Sequence, residues 1–143
     1  MAYAPLVLWI ALILFFSGSR GSVNETSGFF RPLIEFFFPA LTSEEIIFYY
    51  GCVRKFLHFA VYALLGLLAV RAFSMHRRAR PSVGPMLIAL LISFAVAITD
   101  EYIQSLDPSR SGTLYDVMID MAGAMVAVMT MWLISPPARM EQV

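Results

Sequence analysis

The sequence predicts an all-α membrane protein of about four transmembrane helices plus a short interfacial or re-entrant helix. Three observations lead there. The 143 residues are 59% hydrophobic and only 14% charged, with a mean hydropathy of +0.75, too apolar for a soluble domain of this length. The apolar residues fall in blocks rather than at a helical or strand period, so whole segments are greasy on every side. The ionisable residues gather near one end of those blocks.

The whole chain, 1–143, is one membrane domain. The first apolar block, Leu6 to Phe16, gives a span over 1–17, slightly short of the roughly 20 residues that cross a bilayer. A cleaved signal peptide is the competing reading. It is disfavoured because Met1 to Pro5 carries no Lys or Arg and Ser17-Gly18-Ser19 is a poor cleavage site. Residues 28–40 place Arg31 and Glu35 among five phenylalanines, with prolines at Pro32 and Pro39, which reads as a short interfacial or re-entrant helix at the membrane surface, with a disordered loop as the weaker alternative. The Asn24-Glu25-Thr26 sequon matters only in a eukaryotic chain with that loop in a lumen.

Thr42-Ser43-Glu44-Glu45 is a capping box and starts the second span, 43–73. No proline interrupts that run, so it outlasts the hydrocarbon core and projects beyond it. A basic loop follows, with Arg71, His76, Arg77, Arg78 and Arg80, and then a third span over 83–104. The polar connection from Asp100 to Thr113 leads to a fourth span, 114–134, ended by Pro136-Pro137.

The short basic loop faces the cytoplasm, because Lys and Arg in short loops set topology. Both termini are then cytoplasmic in a multi-pass protein of the cell inner (cytoplasmic) membrane. The opposite orientation draws on Arg20, Arg31, Arg54, Lys55 and Arg110, and the basic loop outweighs it because acids leave it uncompensated.

Ten basic and ten acidic residues sum to zero, which argues against nucleic acid as a partner and against a polybasic surface anchor. The single cysteine, Cys52, excludes an internal disulfide, and two histidines exclude a His-rich metal cage. Metal binding through His58 with a carboxylate survives only as a variant of other readings. No metal ligand and no cofactor are assigned. Cys52, Met118, Met121, Met125, Met129 and Met131 read as packing or lipid-facing residues.

Counted from the cytoplasmic helix ends, His58, Asp100 and Asp120 lie at one depth, about 20 Å up at 1.5 Å per residue. Arg54, Lys55, Glu101, Gln104 and Asp116 sit at or just outside that layer, under the outer surface. Spacing gives each helix one polar face: Arg54 with His58, Lys55 with Tyr62, Asp100 with Gln104, Asp116 with Asp120. Gly123 and Ala127 continue the last face and permit close approach of the second or third span.

The run Arg54-Lys55-Phe56-Leu57-His58-Phe59 with Tyr62, then Asp100-Glu101 with Gln104, then Pro108 and Arg110, then Asp116, Asp120 and Gly123 resembles the VanZ-like family of bacterial membrane proteins. The resemblance covers 54–127. The family usually has an acidic residue where Arg54 stands and an asparagine where Asp120 stands, so pairing assumptions do not transfer to those two positions. The resemblance implies a role in the cell envelope or in resistance to the glycopeptide teicoplanin, and no settled activity.

Two functional readings follow, and a third is structural. In an enzyme acting on a lipid-linked substrate at the outer leaflet, His58, Asp100, Glu101 or Asp116 supplies the general base. Arg54, Lys55 and Arg110 then clamp an oxyanion, with Tyr62, Gln104 and Asp120 completing the substrate-binding set. In a non-catalytic protein the same pocket holds its ligand, and the aromatic segment covers it. The partners expected in these readings are membrane lipid and a lipid-linked envelope precursor or a glycopeptide. In the third reading, the bases Arg54, Lys55 and Arg110 nearly cancel the acids Asp100, Glu101, Asp116 and Asp120 in a network that only fixes helix register. Transport lacks its sequence signals: there is no midplane charge and no inverted repeat.

Overall fold

The computed structural model describes residues 3–18, 32, 34–74, 80–107 and 113–136. Among them are four helices: α1 (Ala4–Ser17), α2 (Ser43–Phe73), α3 (Val83–Ser105) and α4 (Leu114–Ile134), with no strand. The sequon, most of the basic loop, Pro108, Arg110 and residues 28–31 and 33 of the aromatic segment lie outside the described residues. Within that segment residues 34–37 form a helical turn, closed by the Phe38 amide donating to the Ile34 carbonyl at 2.8 Å.

Helices α2, α3 and α4 have 31, 23 and 21 residues, long and apolar enough to cross a membrane. Helix α1 has 14 residues, about 21 Å at 1.5 Å per residue. It begins at Ala4, carries Pro5 in its first turn, where the missing amide costs nothing, and stops where Gly18 turns extended. The expected capping box opens α2: the Thr42 amide donates to Glu45 Oε2 at 2.8 Å, and the Glu45 amide to Thr42 Oγ1 at 3.4 Å. Thr113 caps α4 through its hydroxyl, which accepts from the Asp116 amide at 3.2 Å.

The closest packing is between α2 and α4. A Cβ on Gly123 would overlap the Phe59 carbonyl oxygen and lie 3.0 Å from that carbonyl carbon, while one on Gly66 would lie 3.0 Å from the Ala124 carbonyl oxygen. The two backbones therefore approach closely at two places, Phe59 and Gly66 of α2 against the adjacent Gly123 and Ala124 of α4, as small residues allow in membrane helices. The close approach expected at Gly123 is thus made to the second span. Helix α3 lies against both, and α1 packs across α2 and α3.

The helices run up and down, so their ends sort into two levels. At one end Tyr3 meets Phe73 with ring centroids 5.3 Å apart, and Arg80 covers the Trp132 ring at 4.3 Å. At the other end the Ser17 hydroxyl donates to the Asp100 carbonyl at 2.9 Å, and Arg54 reaches Gln104. Outward faces are apolar: Leu87, Leu91 and Ile98 on α3, Met118, Met125 and Met129 on α4 are exposed. Such a surface requires lipid rather than water around it.

Candidate functional site

Every turn of α2 from Arg54 to Tyr62 contributes one inward side chain, because residues four apart share a face. They reach different neighbours. His58 Nδ1 lies 3.1 Å from Asp120 Oδ1 on α4. The Tyr62 hydroxyl donates to Asp100 Oδ2 on α3 at 3.1 Å, and Arg54 donates to the Gln104 side-chain carbonyl at 3.0 Å. Gln104 in turn donates to Asp100 Oδ1 at 2.8 Å. A continuous polar chain, Arg54 to Gln104 to Asp100 to Tyr62, therefore ties α2 to α3, while His58 ties α2 to α4.

Asp100, Glu101 and Asp120 are buried, at 3%, 6% and 0% exposure. Both Asp100 oxygens are satisfied, but Glu101 Oε1 and Asp120 Oδ2 have no hydrogen-bond partner. The other Glu101 oxygen, Oε2, accepts from the Thr113 amide at 2.8 Å. Asp116 is half-buried at the start of α4, and its carboxylate accepts from the Thr113 hydroxyl at 3.0 Å. The structure thus gives it a capping role in the first turn, one turn outside Asp120.

Several expectations need correction. Lys55 does not join Tyr62 in the cluster: seven residues keep the two near one face, but Lys55 lies two turns further out, exposed, with its ammonium 4.8 Å over the exposed Tyr115 ring. Nor do Arg54 and Lys55 cancel the acids directly. The ion-pair contact within the cluster is His58 with Asp120, and Arg54 bonds an amide instead. His58, Asp100 and Asp120 do meet at one end, but Asp100 pairs with Tyr62, a turn further in than His58. Arg110 lies outside the described residues.

The sequence did not point to α1 as part of the site. A cavity of about 220 Å³ is walled by Trp9, Leu12, Ile13 and Phe16 of α1 with Leu57 and Val61 of α2, and its polar lining is Ser17, His58, Tyr62, Asp100 and Gln104. Trp9 anchors that wall by donating its indole N–H to the Val61 carbonyl at 3.1 Å. Nothing in an apolar block identifies which residues wall a cavity, so this contribution carried no signal. The Thr113 cap did carry one, in the spacing Thr113-Leu114-Tyr115-Asp116.

Chemically, the arrangement offers an imidazole held by a buried carboxylate, a guanidinium bonded to Gln104 and an apolar recess beside them. Tyr62→Phe removes the one hydroxyl that serves Asp100 Oδ2 without changing the ring. It should lower stability in detergent by about 1 to 3 kcal/mol, as expected when a buried acceptor is left unmet, and thermal unfolding of the purified protein measures it. An unchanged midpoint would show that Asp100 does not depend on this bond.

Fold and site together define an all-helical membrane protein, with three helices long and apolar enough to cross a bilayer and a buried polar cluster at one end of the bundle. The chain belongs to the VanZ/LLP1 family, whose pattern matches residues 2–135. That match takes in α1 as well as the three longer helices. Comparison with curated proteins and with solved structures finds no match.

Proposed function

We propose that this protein binds a membrane amphiphile, a lipid or lipid-linked envelope precursor, with its chain against α1 and its headgroup on the polar cluster. The observation that supports this is the cavity's two-sided lining: aromatic and aliphatic walls from Trp9 to Phe16 and at Leu57 and Val61, with His58, Tyr62, Asp100 and Gln104 beside them. Such a recess, apolar with a few converging polar groups, is the usual form of a small-molecule site. Arg54 sits at the edge and suits an anionic headgroup, since guanidinium pairs with oxyanions in a fork. His58, oriented by Asp120, is the group placed to exchange a proton with a headgroup hydroxyl or water.

Under this reading the basic loop faces the cytoplasm and the polar end lies beneath the outer leaflet of the inner membrane. There an envelope precursor or a glycopeptide target would be met, which connects the site to a cell-envelope or teicoplanin-resistance role. The bonds that Tyr62 and Gln104 give to both Asp100 oxygens also favour a structural part for Asp100 and Gln104, leaving His58 as the residue whose function is chemical.

The test is photo-crosslinking of the purified protein in nanodiscs with a diazirine-bearing phospholipid or polyprenyl phosphate. Leu12→Trp fills the recess without touching the polar groups. Labelling of α2 at Leu57 and Val61 should fall about tenfold, equivalent to about 1.4 kcal/mol of binding. Undiminished labelling there in a folded Leu12→Trp variant would overturn the proposal.

A further inference from the structure

Three side chains from three helices meet where no sequence spacing connects them: His58 on α2, Glu101 on α3 and Asp120 on α4. Each offers a donor atom within 4.8 Å of the donors of the other two. An ion bound at about 2.0 to 2.2 Å from nitrogen and oxygen ligands holds its donors roughly 3 to 4 Å apart. Small side-chain rotations close the difference.

The second observation concerns unmet oxygens. Asp120 is fully buried and Glu101 is 6% exposed, yet Asp120 Oδ2 and Glu101 Oε1 lack any partner. Buried oxygens of this kind are rare and call for a proton, a water or an ion. Charge points to the last of these. Three buried carboxylates, Asp100, Glu101 and Asp120, are met among the described residues by one imidazole in direct contact, while the Arg54 bond is spent on Gln104. Such an excess of negative charge within membrane-spanning helices is costly unless a cation offsets it.

We propose that His58, Glu101 and Asp120 form a binding site for a divalent transition-metal ion. One imidazole with two carboxylates suits ions of the Mn²⁺ to Zn²⁺ range. The set has no thiolate for a soft ion, and too few oxygens for Ca²⁺, which takes six to eight. Asp100 is not a ligand, because Tyr62 and Gln104 occupy its oxygens. Since His58 also lines the cavity, the ion sits beside the recess, within reach of an anionic headgroup. The site does not depend on the lipid reading, and crosslinking and metal titration can fail separately.

The experiment uses tag-free, full-length protein in detergent, stripped with EDTA and titrated calorimetrically with ZnCl₂ and with MnCl₂. One equivalent per chain is expected. Affinity should fall at least about tenfold in His58→Ala, Glu101→Gln and Asp120→Asn, and stay unchanged in Asp116→Asn, whose carboxylate belongs to the helix cap. Absence of stoichiometric binding to the wild type, or equal binding in all folded variants, overturns the proposal. Should the variants fail to fold by circular dichroism and gel filtration, Mn²⁺ bound to the wild type decides. Its electron spin echo must show ¹⁴N coupling from an imidazole, and a spectrum without it refutes the site.

Discussion

Gly123→Leu should prevent the protein from accumulating in the membrane. Gly123 faces the Phe59 backbone, where even a methyl group would overlap the carbonyl oxygen. A backbone atom cannot swing aside as a side-chain terminus does, so α4 would have to move off α2. That motion separates Asp120 from His58 and opens the second backbone contact at Gly66 and Ala124. Overpacking in a well-filled interior costs about 1 to 3 kcal/mol, which Gly123→Ala should show as a lowered unfolding temperature in detergent. A leucine exceeds what the interface can absorb. Gly51→Ala is the control, because nothing lies within 4 Å of a Cβ at that position. Wild-type abundance and stability in Gly123→Leu would mean that α2 and α4 do not approach each other as described.

The second large effect is expected at His58. In His58→Ala, the fully buried Asp120 loses its one hydrogen-bond partner, and stability should fall by about 1 to 3 kcal/mol. Replacing both residues, as His58→Phe with Asp120→Leu, removes the stranded carboxylate and should restore much of that loss, since the two positions are coupled. On the envelope role proposed above, the protein's effect on teicoplanin susceptibility in cells should be lost in both variants. Restored abundance without restored phenotype would separate chemistry from packing. A phenotype retained in the double variant would leave His58 and Asp120 as a packing pair. Asp116→Ala offers the contrast, since it weakens a helix start and should lower stability without abolishing the phenotype at equal abundance.

What the sequence made legible was phase and depth. Block hydrophobicity gave the three long helices to within a residue, and Thr42 to Glu45 gave the start of α2 with its capping box. Counting along each helix correctly gathered His58, Asp100 and Asp120 at one end. The family resemblance over 54–127 was also sound, and the match extends it through the first helix to 2–135. Helical spacing cannot supply the rotation of one helix against another. It grouped Lys55 with Tyr62, although the first lies over Tyr115 at the surface and the second is buried on Asp100. It listed Arg54 among groups that face carboxylates, yet a glutamine intervenes. Charge counts likewise treat every acid alike, whereas Asp116 caps a helix and Asp120 meets an imidazole. Both departures from the family's usual residues, Arg54 and Asp120, make contacts in the cluster, so this chain's polar wiring follows from its own residues.

One consequence of the short first helix concerns the bilayer itself. The hydrocarbon core is about 30 Å thick, and α3 at 23 residues matches it while α1 at 14 residues falls about 9 Å short. Lipids relieve such a mismatch by thinning next to the shorter segment. The thin zone therefore borders Leu12 and Phe16, the residues that wall the recess. A headgroup beside α1 starts several ångströms deeper than its neighbours, so the membrane itself lowers the distance a polar group must travel to reach His58.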